Sequence, residues 1–208
     1  MIAYTATVDF LGVLVLLLAF VIIAENYTHS LVRHLQWQSL ILSLLISIIG
    51  YFAGMWELIA LGILTLVFRG LILPEILLKD IKKEGVWEHR EFGAKAKSTL
   101  TAGIISSLIA ILFYPVIYRD TGTWDAMIPF VLLILGVITM ISRKNAIAQI
   151  SGYVVEENAL LYLGVVLFPM GFLLEVGVVL DIIGAVFLAV LLGAEKEYGP
   201  MEVEELSG

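Results

Sequence analysis

Apolar residues in this chain come in long unbroken runs. The stretch LGVLVLLLAFVIIA, from Leu11 to Ala24, shows neither the period of two of a half-buried strand nor the polar stripe of a soluble helix. Seven such runs, near residues 6–24, 38–54, 57–74, 99–118, 126–142, 145–167 and 169–192, each approach the roughly 20 residues that one helix needs to cross a bilayer. The pattern predicts an all-α polytopic membrane protein with seven transmembrane helices.

Composition agrees. A hydrophobic share of 61% against 15% charged residues is too apolar for a water-soluble domain of 208 residues. The first run has no basic residues before it and no small-residue cleavage site after it, so it is expected to stay as a membrane helix. The chain has no cysteine, which excludes disulfides, thiolate chemistry and cysteine-held iron–sulfur clusters. His29, His34 and His89 lack metal-ligand spacing, and neither a glycine-rich phosphate loop nor a Ser/His/Asp set on one face is present. Hence no catalytic residues, cofactor-binding residues or metal ligands are expected on this chain.

Basic residues orient the helices, because the side that collects them faces the cytoplasm. With the N-terminus outside and alternating crossings, the inside receives Arg33, Arg69, Lys79, Lys82, Lys83, Arg90, Lys95, Lys97, Arg143, Lys144 and Lys196, leaving only Arg119 outside. The expected organisation is a four-helix N-terminal membrane region (1–122), a three-helix region (123–193) and an acidic cytoplasmic tail (194–208). The tail contributes five of the nineteen acids behind the net charge of −7. The loop 74–98 is long and mixed enough in charge for an amphipathic surface helix, or it simply fixes topology. Nucleic-acid binding has no support.

Within this apolar background, SGYVVEENALLYLG (Ser151 to Gly164) sets two adjacent glutamates in a membrane helix. A charge at the bilayer centre costs on the order of 3 kcal/mol on insertion scales, so intramembrane acids are candidates for function. At about 1.5 Å of rise per residue, Glu156 and Glu157 lie roughly 16 to 18 Å from the inner end of helix six, and Asp181 about 18 Å from the outer end of helix seven. Glu175 sits about 9 Å nearer the outside. Two antiparallel helices, joined by a short turn around Phe168 and Pro169, thus bring carboxyls into one layer suited to a proton relay; the other reading is interhelical hydrogen bonding by neutral acids. Periodicity favours Glu156, since Asn145, Gln149, Gly152 and Glu156 follow one helix face.

Several motifs carry a family resemblance: Arg143-Lys144-Asn145, Gln149, Gly152-Tyr153, Glu157-Asn158, Glu175-Val176-Gly177 with Asp181, and, earlier, Gln38-Ser39-Leu40 and Arg69 through Leu73-Pro74. On these the chain resembles component E of the hydrogenase-4 complex, and more distantly the K subunit of respiratory complex I and the C subunit of Mrp sodium/proton antiporters. In that family the glutamate before the asparagine or histidine is the intramembrane acid, which maps onto Glu157. Glu156 takes a position that is usually apolar, the complex I subunit carries its glutamate where this chain has Val154, and Arg69 stands where a lysine is common. Arg69 is then a countercharge, or an arginine whose head snorkels to the inner interface.

The resemblance implies a small subunit of a redox-driven ion pump in a prokaryotic cell membrane, of the group 4 NiFe hydrogenase or formate hydrogenlyase type. Glu157 and Asp181 would be its protonatable centres, with Glu156, Glu175 and Arg69 beside them, on a proton or sodium path shared with antiporter-like subunits. NiFe and iron–sulfur centres would reside in partner subunits. The rival expectations are a scaffold joining antiporter-like subunits to the redox module, a subunit of an Mrp-type antiporter, and a freestanding membrane enzyme or carrier.

Overall fold

The computed structural model describes residues 2–83, 93–143, 146–167 and 172–197, and every element of secondary structure among them is a helix. They are α1 (Ile2–Ala24), α2 (Thr28–Ala53), α3 (Trp56–Thr65), α4 (Leu73–Lys83), α5 (Gly93–Thr121), α6 (Met127–Ser142), α7 (Ala146–Leu167) and α8 (Leu173–Glu197). A π-helical segment, Leu66–Ile72, fuses α3 and α4 into one rod. Among the described residues, five stretches are long and apolar enough to cross a membrane: Tyr4–Ala24, Thr28–Ala53, Trp56–Ile81, Ser98–Thr121 and Ala146–Leu167. Helix α6, at 16 residues, is about 24 Å long, short of the roughly 30 Å hydrocarbon core.

Several boundaries differ from the sequence expectation. The second run begins at residue 28 rather than 38, because Leu31, Val32 and Leu35 supply a buried stripe that His29, Arg33, His34 and Gln36 dilute in a simple count of apolar residues. The third does not end at Pro74; it continues to Lys83, so the first part of the 74–98 loop is a prolongation of a membrane helix. The fourth begins at Gly93. Helix α8 likewise runs on to Glu197, into the stretch assigned to the tail, whereas His89, Arg90, Lys144, Asn145, Phe168, Pro169 and residues 198–208 lie outside the described residues.

Helix α7 is the hub. Fourteen of its residues are buried, and it packs on α6, α2 and α8. Its contact with α6 relies on two small residues: a Cβ on Gly136 would fall 2.6 Å from the Glu156 amide nitrogen, and one on Gly152 would fall 2.5 Å from that of Met140. Backbone approaches of this kind are how membrane helices pack without a hydrophobic driving force. At the α2–α3 reversal Gly54 adopts φ 69°, the left-handed cap that lets Met55 N–H reach back to the Gly50 carbonyl at 2.9 Å. Helices α5 and α8 turn exposed aliphatic faces outward, including Leu108, Leu112, Val116, Val179, Ile182 and Val186.

Candidate functional site

Pro74 explains the geometry that follows. Lacking an N–H, it cannot make the α-type bond to the Gly70 carbonyl four residues back. The turn ahead of it widens to π, with Leu73 N–H bonding to the Phe68 carbonyl. The Gln36 side-chain amide donates to the Gly70 carbonyl at 3.1 Å, supplying the donor that Pro74 withholds. Gly70 also permits close passage of α2, since a Cβ there would fall 2.9 Å from Leu40 Cδ2. Single-turn π segments recur at functional sites because they redirect one side chain. Here that side chain is Arg69.

Arg69 is only 2% exposed. It does not snorkel to an interface. Its Nε donates to Asp181 Oδ1 at 2.7 Å, its Nη1 donates to Asn158 Oδ1 at 3.2 Å, and Nη2 lies 3.5 Å from Glu157 Oε2. The planar guanidinium, with its fixed fork of donors, is thereby shared among α7 and α8. The Tyr153 hydroxyl hydrogen-bonds the Glu157 carboxyl group from one turn earlier. Glu157 Oε1 is buried with no hydrogen-bond partner among the described residues. Gly184 on α8 makes room for it, as a Cβ there would stand 3.2 Å from that oxygen and 3.2 Å from the Tyr153 ring.

From Asn158 the polar contacts continue sideways. Its Nδ2 donates to Ser39 Oγ at 3.1 Å and to Gln38 Oε1 at 3.4 Å, and Gln38 Nε2 donates to the Val15 carbonyl on α1 at 3.1 Å. Gln38, Ser39 and Asn158 are each fully buried. On the opposite side, Arg69, Glu157 and Asp181 border a cleft of about 70 Å³ with Phe68, Ile72 and Gly184. A polar line therefore runs from this cleft, through the arginine, to the first helix.

The structure brings together Arg69, Glu157 and Asp181 and leaves two other sequence candidates apart. Glu156 is half-buried on the side of α7 that meets Gly136 of α6, with no ion pair to Arg69. The Gln149, Gly152, Glu156 periodicity thus includes a helix-packing seam. Glu175 is exposed near the start of α8. Sequence reasoning also missed Arg143 as a clamp: 3% exposed, its Nη2 donates to the carbonyls of Ile23 at 2.8 Å and Glu25 at 2.9 Å, satisfying acceptors at the end of α1. Gln149 Nε2 in turn donates to the Arg143 carbonyl at 2.8 Å.

No family model and no solved structure matches the chain. An uncharacterised protein of Mycobacterium tuberculosis is 25% identical over 211 residues, covering 98% of this chain and 96% of the relative. Hydrogenase-4 component E of Escherichia coli K12 is 27% identical over 203 residues, covering 94% of this chain and 93% of its own length, and the Shigella flexneri component E aligns with the same figures. The likeness to component E thus extends along nearly the whole length of both chains, and the chain is similar to it throughout rather than at one motif.

Proposed function

We propose that the chain is a small membrane subunit of a hydrogenase complex, of the group 4 NiFe or formate hydrogenlyase type, and that it contributes Glu157 and Asp181 to a proton or sodium path. The single observation behind this reading is a buried arginine between two carboxyl groups, 2.7 Å from Asp181 and 3.5 Å from Glu157. With both acids ionised the trio carries a net charge of −1, and one added proton or sodium ion neutralises it. Burying uncompensated charge in low dielectric is costly, so the neutral, cation-loaded form and the charged form differ strongly in their response to a change in a neighbouring subunit. Tyr153, beside Glu157, and the Asn158–Ser39–Gln38 line offer hydrogen-bonding steps away from the trio.

Electrons stay outside this chain. NiFe and iron–sulfur centres belong to partner subunits, and antiporter-like subunits are the expected neighbours that continue the path, in the manner of the complex I K subunit and the Mrp C subunit. Redox turnover in the partners would shift the protonation or access of the trio. A scaffold role is the second reading, favoured by the extensive exposed aliphatic faces of α5 and α8.

Two measurements test the proposal. A tagged chain purified from membranes should bring with it a NiFe hydrogenase large subunit, and recovery of the chain with antiporter subunits alone would overturn the hydrogenase assignment. In proteoliposomes of the intact complex, Asp181→Asn should lower redox-driven ion transport at least tenfold while hydrogen chemistry and assembly persist. Full transport in that variant would leave the scaffold reading in its place.

A further inference from the structure

A second cleft, of about 530 Å³, opens at the bundle end where α1 and α6 begin and α2 and α7 finish. Its walls are Val8, Ile49, Ile128, Val165 and Val166, and its polar groups are Tyr4, Thr5, Asp9, Asp125 and Tyr162, with Trp124 at the rim. Three observations set it apart from the Arg69 site. First, Asp9 and Asp125 are both exposed, and no described lysine or arginine pairs with either. Second, Tyr162 lines the same cleft as both carboxylates, is only 2% exposed, and its hydroxyl has no hydrogen bond from a described residue. Third, exposed Tyr51, Phe52, Trp56 and Trp124 gather at this end, the aromatic signature of headgroup depth in a membrane protein.

The occupant these features suit is cationic at one end and aliphatic along its body. Two carboxylates call for positive charge, and aromatic faces add attraction for an ammonium group. Tyr162 is wedged against α1, where a Cβ on Gly12 would overlap its hydroxyl, so the ring is fixed and its oxygen stands ready to accept from a donor. A bare metal ion fits poorly, because a cleft of this size with two exposed carboxylates does not gather the six or more oxygens that a hard cation needs. The aliphatic walls would be idle against a free amine, whereas a lipid at this depth would use them.

We propose that the cleft holds an aminophospholipid, with its primary ammonium on Asp9 and Asp125, the Tyr162 hydroxyl accepting from it, and the glycerol and upper acyl segments along Ile49, Ile128, Val165 and Val166. This inference is independent of the hydrogenase reading, since it concerns other residues at another depth. The site selects primary ammonium over phosphocholine, whose quaternary nitrogen has no proton to donate, and over phosphatidylglycerol, whose headgroup lacks the cation.

The test uses the full chain purified in detergent and equilibrated with mixed micelles of dioleoyl phosphatidylethanolamine and dioleoyl phosphatidylglycerol, read by native mass spectrometry. One phosphatidylethanolamine per chain should be retained at least fivefold over phosphatidylglycerol and over phosphatidylcholine in a parallel mixture. Asp9→Asn with Asp125→Asn should remove that preference, and Tyr162→Phe should reduce retention about threefold. Asp125→Asn alone, in a loop, keeps the test decisive should the double variant lose helical circular dichroism; it should lower retention at least twofold. Glu57→Gln, at the same bundle end but off the cleft, should leave retention unchanged. Equal retention of the lipids, undiminished retention in the aspartate variants, or displacement by soluble ethanolamine with no lipid bound would each overturn the proposal.

Discussion

Two arginines in this bundle are buried to nearly the same degree, Arg69 at 2% exposure and Arg143 at 3%, yet their surroundings differ in kind. Arg143 donates to the Ile23 and Glu25 carbonyls, which carry no net charge and cannot titrate. It closes the end of α1, and neither of these two acceptors can gain or lose a proton. Arg69 instead faces Asp181 and Glu157, and Oε1 of Glu157 is left without a hydrogen bond among the described residues. Burial of a charge alone therefore does not mark a functional site in a membrane protein; the partners decide. A cation on backbone carbonyls is a fastener, and a cation on two carboxyls is a group whose charge balance one proton can reset.

Substitutions can break or sharpen that contrast. The largest effect is expected for Arg69→Met, which strands two buried carboxyl groups; removing one partner of a buried ion pair typically costs about 3–5 kcal/mol, and transport should vanish. Should the complex fail to assemble, the triple replacement of Arg69 by Met, Asp181 by Leu and Glu157 by Gln, which removes both stranded carboxyl groups along with the cation, should recover assembly without transport. Next comes Arg143→Met, which leaves helix-end carbonyls unsatisfied at about 1–3 kcal/mol. Its thermal midpoint in detergent should drop, while transport per assembled complex stays normal. Loss of transport at full assembly would erase the distinction between the two arginines.

Smaller effects follow for the neighbours. Gly184→Ala puts a methyl group 3.2 Å from Glu157 Oε1, so transport should fall severalfold with little change in thermal midpoint. Glu175→Gln, on an exposed position of α8, should change stability by less than about 0.5 kcal/mol and leave transport near wild type. An equal loss in Glu175→Gln and Asp181→Asn would instead tie the exposed acid to the path.

Much of this was readable from the residues, for identifiable reasons. Long apolar runs gave the membrane helices, and counting rise per residue put Glu157 and Asp181 at one depth, where a shared Arg69 now links them. The periodicity that points to Glu156 also contains Gly152, so that face follows the small residues that let α6 approach. The family resemblance pointed to Glu157. The early start of α2 was hidden because polar residues there have specific partners, as Gln36 has in the Gly70 carbonyl. Nor could the π segment be read locally, since Pro74 permits either a helix end or a widened turn, and packing of Gly70 against α2 selects the second.

The most direct measurement is the number of ions moved per electron pair by the intact complex carrying Glu157→Gln, reconstituted in sealed vesicles. An amide keeps the shape and hydrogen bonding of the side chain and removes its charge and its titration. The account predicts that hydrogen chemistry continues in the assembled complex while ions moved per electron pair fall at least tenfold. An unchanged ratio would contradict it, leaving Glu157 as a strut beside Arg69.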